Sequence, residues 1–257
     1  MAAAGSSGWA RINRMTAILT LSRYKSRNIF FALNAMAIFR LFLFQNKKFR
    51  FYRLLGCGRN GTFDLHPDWQ QYGIITISDN DDFSSALLRD DYASWKKWYY
   101  GKFIQRWWIF FGTETWTIIL RPVMAHGKWG GKEVLKDVLP EPGYNGPVAV
   151  LTRASIRPLK AFSFWKNVPS VEQEMRKTQG LHFSVGIGEM PLFRQATFSL
   201  WDDMESMKSF AYSLSEHKTV IRKTRDEKWY SEELFARFIP LQTAGTLKGI
   251  NPFRVEG

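Results

Sequence analysis

The chain has 257 residues, enough for one large domain or two half-size units with real cores, and its 45% hydrophobic and 23% charged residues are the proportions of a soluble globular protein. Thirty-six Lys and Arg against 23 Asp and Glu leave a net charge of +13, and 16% of the residues are aromatic, a combination suited to an anionic membrane face or a nucleic acid. The single cysteine, Cys57, excludes an internal disulfide and a thiolate cluster and points to the cytosol.

The first fifteen residues, MAAAGSSGWARINRM, hold no apolar run of roughly 7–15 residues before a cleavage site, so they read as a flexible tail rather than a secretory signal. TAILTLSRY (16–24) has strand character. NIFFALNAMAIFRLFLF (28–44) is the most apolar stretch, interrupted by Asn34 and Arg40. It falls short of the ~20 apolar residues that a membrane span requires and reads as a buried or interfacial helix. FRFYRLLGCG (49–58) and the β-branched YGIITIS (72–78) read as strands. DDFSSALLRDDYASWKKWYY (81–100) starts on capping carboxylates and continues as a helix, and ETWTIILRPV (114–123) closes a β-α-β-β-α-β order. Three prolines and two glycines in VLPEPGYNGP (138–147) mark a linker.

The order then starts again. PVAVLTRA (147–154) predicts a strand, 158–178 a helix interrupted at Pro169, LHFSVGIGEM (181–190) and RQATFSLW (194–201) two strands, 202–229 a helix, and EELFARFIPL (232–241) a last strand. Landmarks repeat: Asp81 and Asp82 against Asp202 and Asp203, and Pro122 and Gly127 against Pro240 and Gly245. The expected fold class is therefore α+β: two tandem ferredoxin-like βαββαβ units, residues 16–137 and 148–257, joined by 138–147.

In the helix expected over 202–229, Met207, Phe210, Leu214, His217, Ile221 and Thr224 recur at spacings of three and four, one face of an α-helix. Lys208, Glu216, Lys218, Arg222, Lys223 and Arg225 fall elsewhere. His217 thus points toward the sheet. A buried imidazole must be neutral or paired and needs partners for both nitrogens. It serves either as a core histidine bonded to a strand or as a metal ligand. No HExxH motif is present, which disfavours a multi-histidine zinc site, whereas haem needs only one protein ligand. The rivals are His126 in a Gly-rich turn, His66 before a proline, His182 at a strand start and Cys57 between two glycines. No GxGxxG placed between a strand and a helix, P-loop, GxSxG or CxxC occurs.

VAVLTRASIRP, VGIGEMPLFRQATFSLW, HKTVIRKTRDEKWYSEELFARF and PVMAHGKWGG together resemble the spheroidene monooxygenase family of carotenoid-modifying enzymes, over about residues 16–249 and most strongly over 147–239. The resemblance implies a dimeric α/β-barrel architecture, shared with chlorite dismutases, dye-decolourising peroxidases and aldoxime dehydratases. It implies haem b, with His217 as the proximal ligand to iron. It implies oxidation of C2 of an acyclic carotenoid end group to a hydroxyl or ketone, with dioxygen and with electrons from ferredoxin or an equivalent reductase. On that reading the sheet forms the opposite wall. Gln195, Thr197 and Ser199 share one face of their strand by period-two alternation, and His182, Ser184, Gly186 and Gly188 share one face of theirs. Their small and polar side chains leave room for a porphyrin and dioxygen, and Arg153 is a candidate for a haem propionate or for the bound oxygen. Gln195, Ser199 and Arg153 are the catalytic candidates.

So apolar a substrate requires docking to a membrane or a carrier. The stretch WKKWYYGKFIQRWWIFFG (95–112) mixes aromatics with Lys96, Lys97, Lys102 and Arg106, and reads as a contact with an anionic membrane unless the aromatics fill the core. The expected location is cytoplasmic, on the inner face of the membrane. The alternatives are a dehydratase-like or peroxidase-like haem reaction on the same fold, or a basic RNA-binding module. The last lacks an RNP-like string and is set aside, so no nucleic-acid partner is expected. The oligomeric state stays open, a homo-oligomer included.

Overall fold

A computed structural model describes residues 15–59, 66–79, 91–136, 138–166, 175, 178–213 and 228–253. His217, the capping pair Asp81 and Asp82 and the later part of the helix expected over 202–229 lie outside the described residues.

The strands are β1 (Thr16–Arg23), β2 (Phe51–Gly58), β3 (Pro67–Ser78), β4 (Glu114–Gly127), β5 (Val148–Ile156), β6 (Leu181–Met190), β7 (Arg194–Trp201) and β8 (Tyr230–Gly245). The helices are α1 (Ile29–Gln45), α2 (Tyr92–Tyr100), α3 (Lys102–Phe110) and α4 (Met204–Ser213), and residues 161–166 are also helical. All eight strands close into one antiparallel barrel in the order β1-β3-β2-β6-β7-β5-β8-β4. Each half contributes its strands in the same 4-1-3-2 order, so the two ferredoxin-like sheets meet edge to edge, at β4–β8 and at β2–β6. Closure removes the free sheet edges that separate halves would expose.

Period-two alternation sends one set of side chains into the barrel and the other outward under the helices. Ala17, Leu19 and Leu21, with Ala149, Leu151, Phe198, Ala236 and Phe238, form the shared interior. Ile18, Leu54, Ile74 and Ile119 face α1, α2 and α3 on the outside of the first half. Both faces are buried, so these strands read as nearly continuous apolar runs. Several extend beyond their expected ends, β3 back to Pro67, β4 on to Gly127 and β8 on to Gly245. The β4–β8 ribbon absorbs Pro122 and Pro240 at two register shifts, where a residue without an N–H disrupts least.

Registers define a two-fold equivalence. Ala17 pairs with Leu120 and Ile77 as Ala149 pairs with Phe238 and Leu200. The loops after β4 and β8 obey it too. Glu232 of β8 accepts the N–H groups of Gly130 (2.9 Å) and Gly131 (2.5 Å) in the loop after β4. Glu114 of β4 accepts those of Lys248 (2.8 Å) and Gly249 (2.6 Å) in the loop after β8. Each half thus clasps the other's last loop.

The helix expected from residue 81 is described from its cap at Asp91, whose Oδ1 accepts the N–H groups of Ala93 (2.9 Å) and Ser94 (3.0 Å). Gly101, at φ 95°, ends α2 and starts α3, a conformation that favours glycine. Trp95, Tyr99, Tyr100, Ile104 and Trp108 of the expected membrane stretch are buried against the sheet. Tyr100 bonds Thr20 (2.7 Å) and Tyr99 bonds Thr76 (2.7 Å) through their hydroxyls.

Lys96 belongs to this core too. Its ammonium donates to Thr115 Oγ1 at 2.7 Å and lies 4.2 Å from the Tyr92 ring centroid, and burial pulls its pKa down to about 8. The unfolded chain keeps that proton to about pH 10.4. Between about pH 8 and 10 the unfolded state therefore binds more protons, and stability rises with pH. Lys96→Met is expected to raise the melting midpoint at neutral pH and to flatten that rise, as thermal melts across the window will show. Above about pH 10 the trend reverses, because burial pushes Tyr72 and Tyr92 up to about 12 and the unfolded tyrosines ionise first.

Candidate active site

The outward face of the second sheet differs from its counterpart. Counting from the equivalent pairs, Tyr52, Leu54, Tyr72 and Ile74 of the first half correspond to Ser184, Gly186, Gln195 and Thr197 of the second. Thr20 corresponds to Thr152 and Ile119 to Arg237. In the first half this face is filled: Thr20 is fully buried beneath Tyr100, and Leu54 is 8% exposed. In the second half Thr152 is exposed, and four bulky positions have become small or polar. The second sheet thus has a polar floor where the first has an aromatic core.

Ser184, Gly186, Gly188, Gln195, Thr197 and Ser199 share that floor, on β6 and β7, with Gly186 opposite Thr197 and Ser184 opposite Ser199. Thr197 is 6% exposed, and its Oγ1 has no hydrogen-bond partner among the described residues, an unmet polar group aimed at the helix side. Ser199 Oγ accepts the indole N–H of Trp201 at 2.9 Å, and Gln195 donates its amide to the Met190 carbonyl at 3.1 Å. Gly188 has no room for a Cβ, which would stand 2.8 Å from the Arg194 carbonyl oxygen.

His182 departs from the expected alternation. The register shifts between Leu181 and Phe183, so His182 is the extra residue of a bulge, exposed at the sheet end and bonded through Nε2 to Asp202. Arg153 also leaves the group: it faces the barrel interior, opposite to the floor, at the position equivalent to Leu21. It is 3% exposed, and its charge is met by Glu189 (3.1 Å) and Glu232. Cys57 is buried in the interior, and burial pushes its thiol up to about 12, far from a thiolate at neutral pH. His126 is exposed and stacks on Phe235.

One cation on the floor side escaped the sequence reading. Arg237 of β8 neighbours Val150, and among the described residues its guanidinium meets only thioethers, Met124 Sδ at 2.9 Å and Met204 Sδ at 2.8 Å. Thioether sulfur is a weak acceptor, and no described carboxylate pairs with this half-buried charge. Its signal was the alternation of β8, where Leu234, Ala236 and Phe238 point inward. Met204 also lines an open groove of about 820 Å³ beside the start of α4, with Tyr144, Asp203 and Lys208.

Two solved aldoxime dehydratases share this architecture. One superposes with a TM-score of 0.59 at 10% identity, over 91% of this chain and 83% of its own. The other, OxdRE in complex with butyraldoxime, gives 0.57 at 11%, over 92% and 82%. The fold is therefore that of the dimeric α/β barrels, with both halves in one chain. No family model matches the chain. Curated relatives do: spheroidene monooxygenase of Rhodobacter capsulatus is 36% identical over 241 residues, 92% of this chain and 94% of that protein. Spheroidene monooxygenase of Rubrivivax gelatinosus is 34% identical over 201 residues, 78% of this chain and 72% of that protein. The chain belongs to the spheroidene monooxygenase family.

Proposed function

We propose that the chain is a haem-dependent carotenoid monooxygenase, its haem lying between the polar floor of the second sheet and the helix that follows β7. The observation that carries the reading is the contrast between the halves: the fold repeats, but the Tyr, Leu and Ile side chains that fill the first face are replaced by Ser184, Gly186 and Thr197 on the second. Family membership supports the reaction and the substrate class. Haem b, when bound, supplies activation of dioxygen with two electrons from a ferredoxin-type donor.

The chain's own residues supply the rest. His217, which lies outside the described residues and is chosen on the apolar stripe of the sequence alone, would hold the iron. Gly186 would keep the floor low enough for a flat ring, whereas the space over Gly188 is taken by the Arg194 carbonyl and the Gln195 amide. Thr197 Oγ1 holds a proton free to donate toward the space above it, with Ser184 beside it. Arg237, which among the described residues meets only sulfur, would receive a propionate carboxylate. Phe235 and Val150 form an apolar wall that excludes water and orients the end of the polyene, presenting C2 for oxidation to a hydroxyl or ketone.

The test has two parts. Purified protein is expected to show a Soret band that His217→Ala abolishes while the far-ultraviolet circular dichroism stays unchanged. In a host making acyclic carotenoids, the oxygen of the new hydroxyl is expected to carry label from isotopic dioxygen. Label from water alone overturns the oxygenase reading, and a full Soret band in His217→Ala overturns the ligand assignment.

A further inference from the structure

The expected membrane stretch buries Trp95, Tyr99, Tyr100, Ile104 and Trp108, but its second half, on α3, keeps Lys102, Phe103, Arg106, Ile109 and Phe110 exposed and joins α1 in one surface. Helices α1 and α3 lie antiparallel across the outside of the first half. Phe31 stacks on Phe111 at 4.5 Å between ring centroids, and Phe42 on Phe103 at 4.0 Å, one pair at each end. The inner stripe of α1, Ala32, Ala35, Phe39 and Leu43, is buried. Its outer face is also apolar: Phe30 is 70% exposed, Leu41 65% and Phe44 80%. On α3, Ile109 is 64% exposed and Phe110 83%. Exposed apolar residues are ordinary singly, but a continuous two-helix face of Phe, Leu and Ile marks a contact surface.

Charge selects the partner. Residues 1–63 contain eleven Lys and Arg and no Asp or Glu, and residues 92–113 contain four and none. Arg27, Arg40, Lys102 and Arg106 are exposed on or beside the two helices. An apolar face whose two helices carry cations and no acidic residue disfavours a second copy of itself and suits an anionic lipid surface, into which the rings sink while the cations meet headgroups. By length and composition Ser26–Gln45 is long and apolar enough to cross a membrane, further than the sequence reading expected. The inner stripe of α1 nevertheless packs against β2, β3 and α3, so in this structure the helix lies along the sheet.

We infer that the exposed face of α1 and α3 docks the protein peripherally on an anionic bilayer. The face lies on the half opposite to the polar floor, so docking does not depend on the catalytic reading.

Co-sedimentation tests it, with vesicles of phosphatidylcholine alone and of phosphatidylcholine mixed with phosphatidylglycerol. The protein is expected to pellet with the mixed vesicles and to leave them as salt rises. Joint substitution Phe44→Glu and Phe110→Glu, at two highly exposed positions, is expected to lower partitioning more than roughly tenfold with unchanged circular dichroism. Joint reversal Arg40→Glu, Lys102→Glu and Arg106→Glu is expected to remove the preference for mixed over neutral vesicles. Protein that stays in the supernatant with both vesicles overturns the inference. So does undiminished binding by the Phe44→Glu and Phe110→Glu variant. A solution dimer that this variant dissociates also overturns it, because the face then belongs to a second copy.

Discussion

Gly186→Leu is expected to abolish haem binding while leaving the barrel folded. The position corresponds to Leu54, which packs against the helices of the first half, so the substitution restores the filled state on the second face. A leucine side chain there rises from the centre of the floor, opposite Thr197, into the space assigned to the porphyrin. The expected reading is loss of the Soret band at stoichiometric haem, with cooperative unfolding retained. The reciprocal change, Leu54→Gly, deletes a buried side chain and costs about 2–5 kcal/mol by cavity formation. It is expected to create no haem site, because Tyr52, Tyr72 and Ile74 still fill that face. Gly186→Leu protein with a full Soret band would sink the assignment of the floor.

Glu189→Ala is the substitution expected to cost most stability outside the apolar core. The carboxylate accepts from Arg53 Nε at 2.6 Å, Arg153 Nη2 at 3.1 Å and the indole N–H of Trp129 at 3.0 Å. Removing it leaves Arg153, 3% exposed, with half of its countercharge. Breaking a buried pair from one side costs about 3–5 kcal/mol. At about 2–4 °C per kcal/mol for a chain of this size, the melting midpoint is expected to fall by roughly 10 °C. Arg153→Leu, which installs the residue of the equivalent position, is expected to cost less. Glu189 then keeps Arg53 and Trp129, and Glu232 keeps the Gly130 and Gly131 amides. Equal losses in the two variants would deny the carboxylate its central place.

Acid stability follows from the same cluster. Burial alone would raise the Glu232 carboxyl, but the amides of Gly131 and Gly130 and the Arg153 guanidinium outweigh it and hold the carboxyl below its ordinary range. A depressed carboxyl stabilises the fold above its unfolded value, near 4.3, and the contribution disappears as pH falls through the folded value. Glu114 is held low likewise, where Thr246 and the Gly249 and Lys248 amides outweigh its burial. The loss in Glu189→Ala is therefore expected to persist at neutral pH, where these carboxylates stay charged.

The repeat and the strand order were legible because each half carries its own alternation and its own turn residues. Closure of the two sheets into a barrel was legible through the family resemblance and not through the pattern. Which face of β5 points inward was not legible: Ala149 and Leu151 on one side and Val148 and Val150 on the other are equally apolar, since one packs in the barrel and the other beneath helices. Arg153, a candidate to which the sequence assigns no face, stands on the face opposite to Gln195, Thr197 and Ser199. His182 escaped because a bulge breaks the period-two count, and bulges leave little trace in composition. The aromatic run 95–112 carried a readable signal. Trp95 and Tyr99, then Ile104 and Trp108, recur at spacings of four on either side of Gly101, the mark of an inward stripe.

The exchanged clasps, Glu232 on the loop after β4 and Glu114 on the loop after β8, have an evolutionary reading. Two identical chains closing the same barrel would carry every substitution twice, so hollowing one face would hollow its twin and forfeit both cores. A single chain breaks that bond. One copy can stay overpacked with aromatics and supply rigidity, while the other gives up Tyr, Leu and Ile for Ser, Gly and Thr. The clasps tie the aromatic-filled copy to the polar-faced one across the seam.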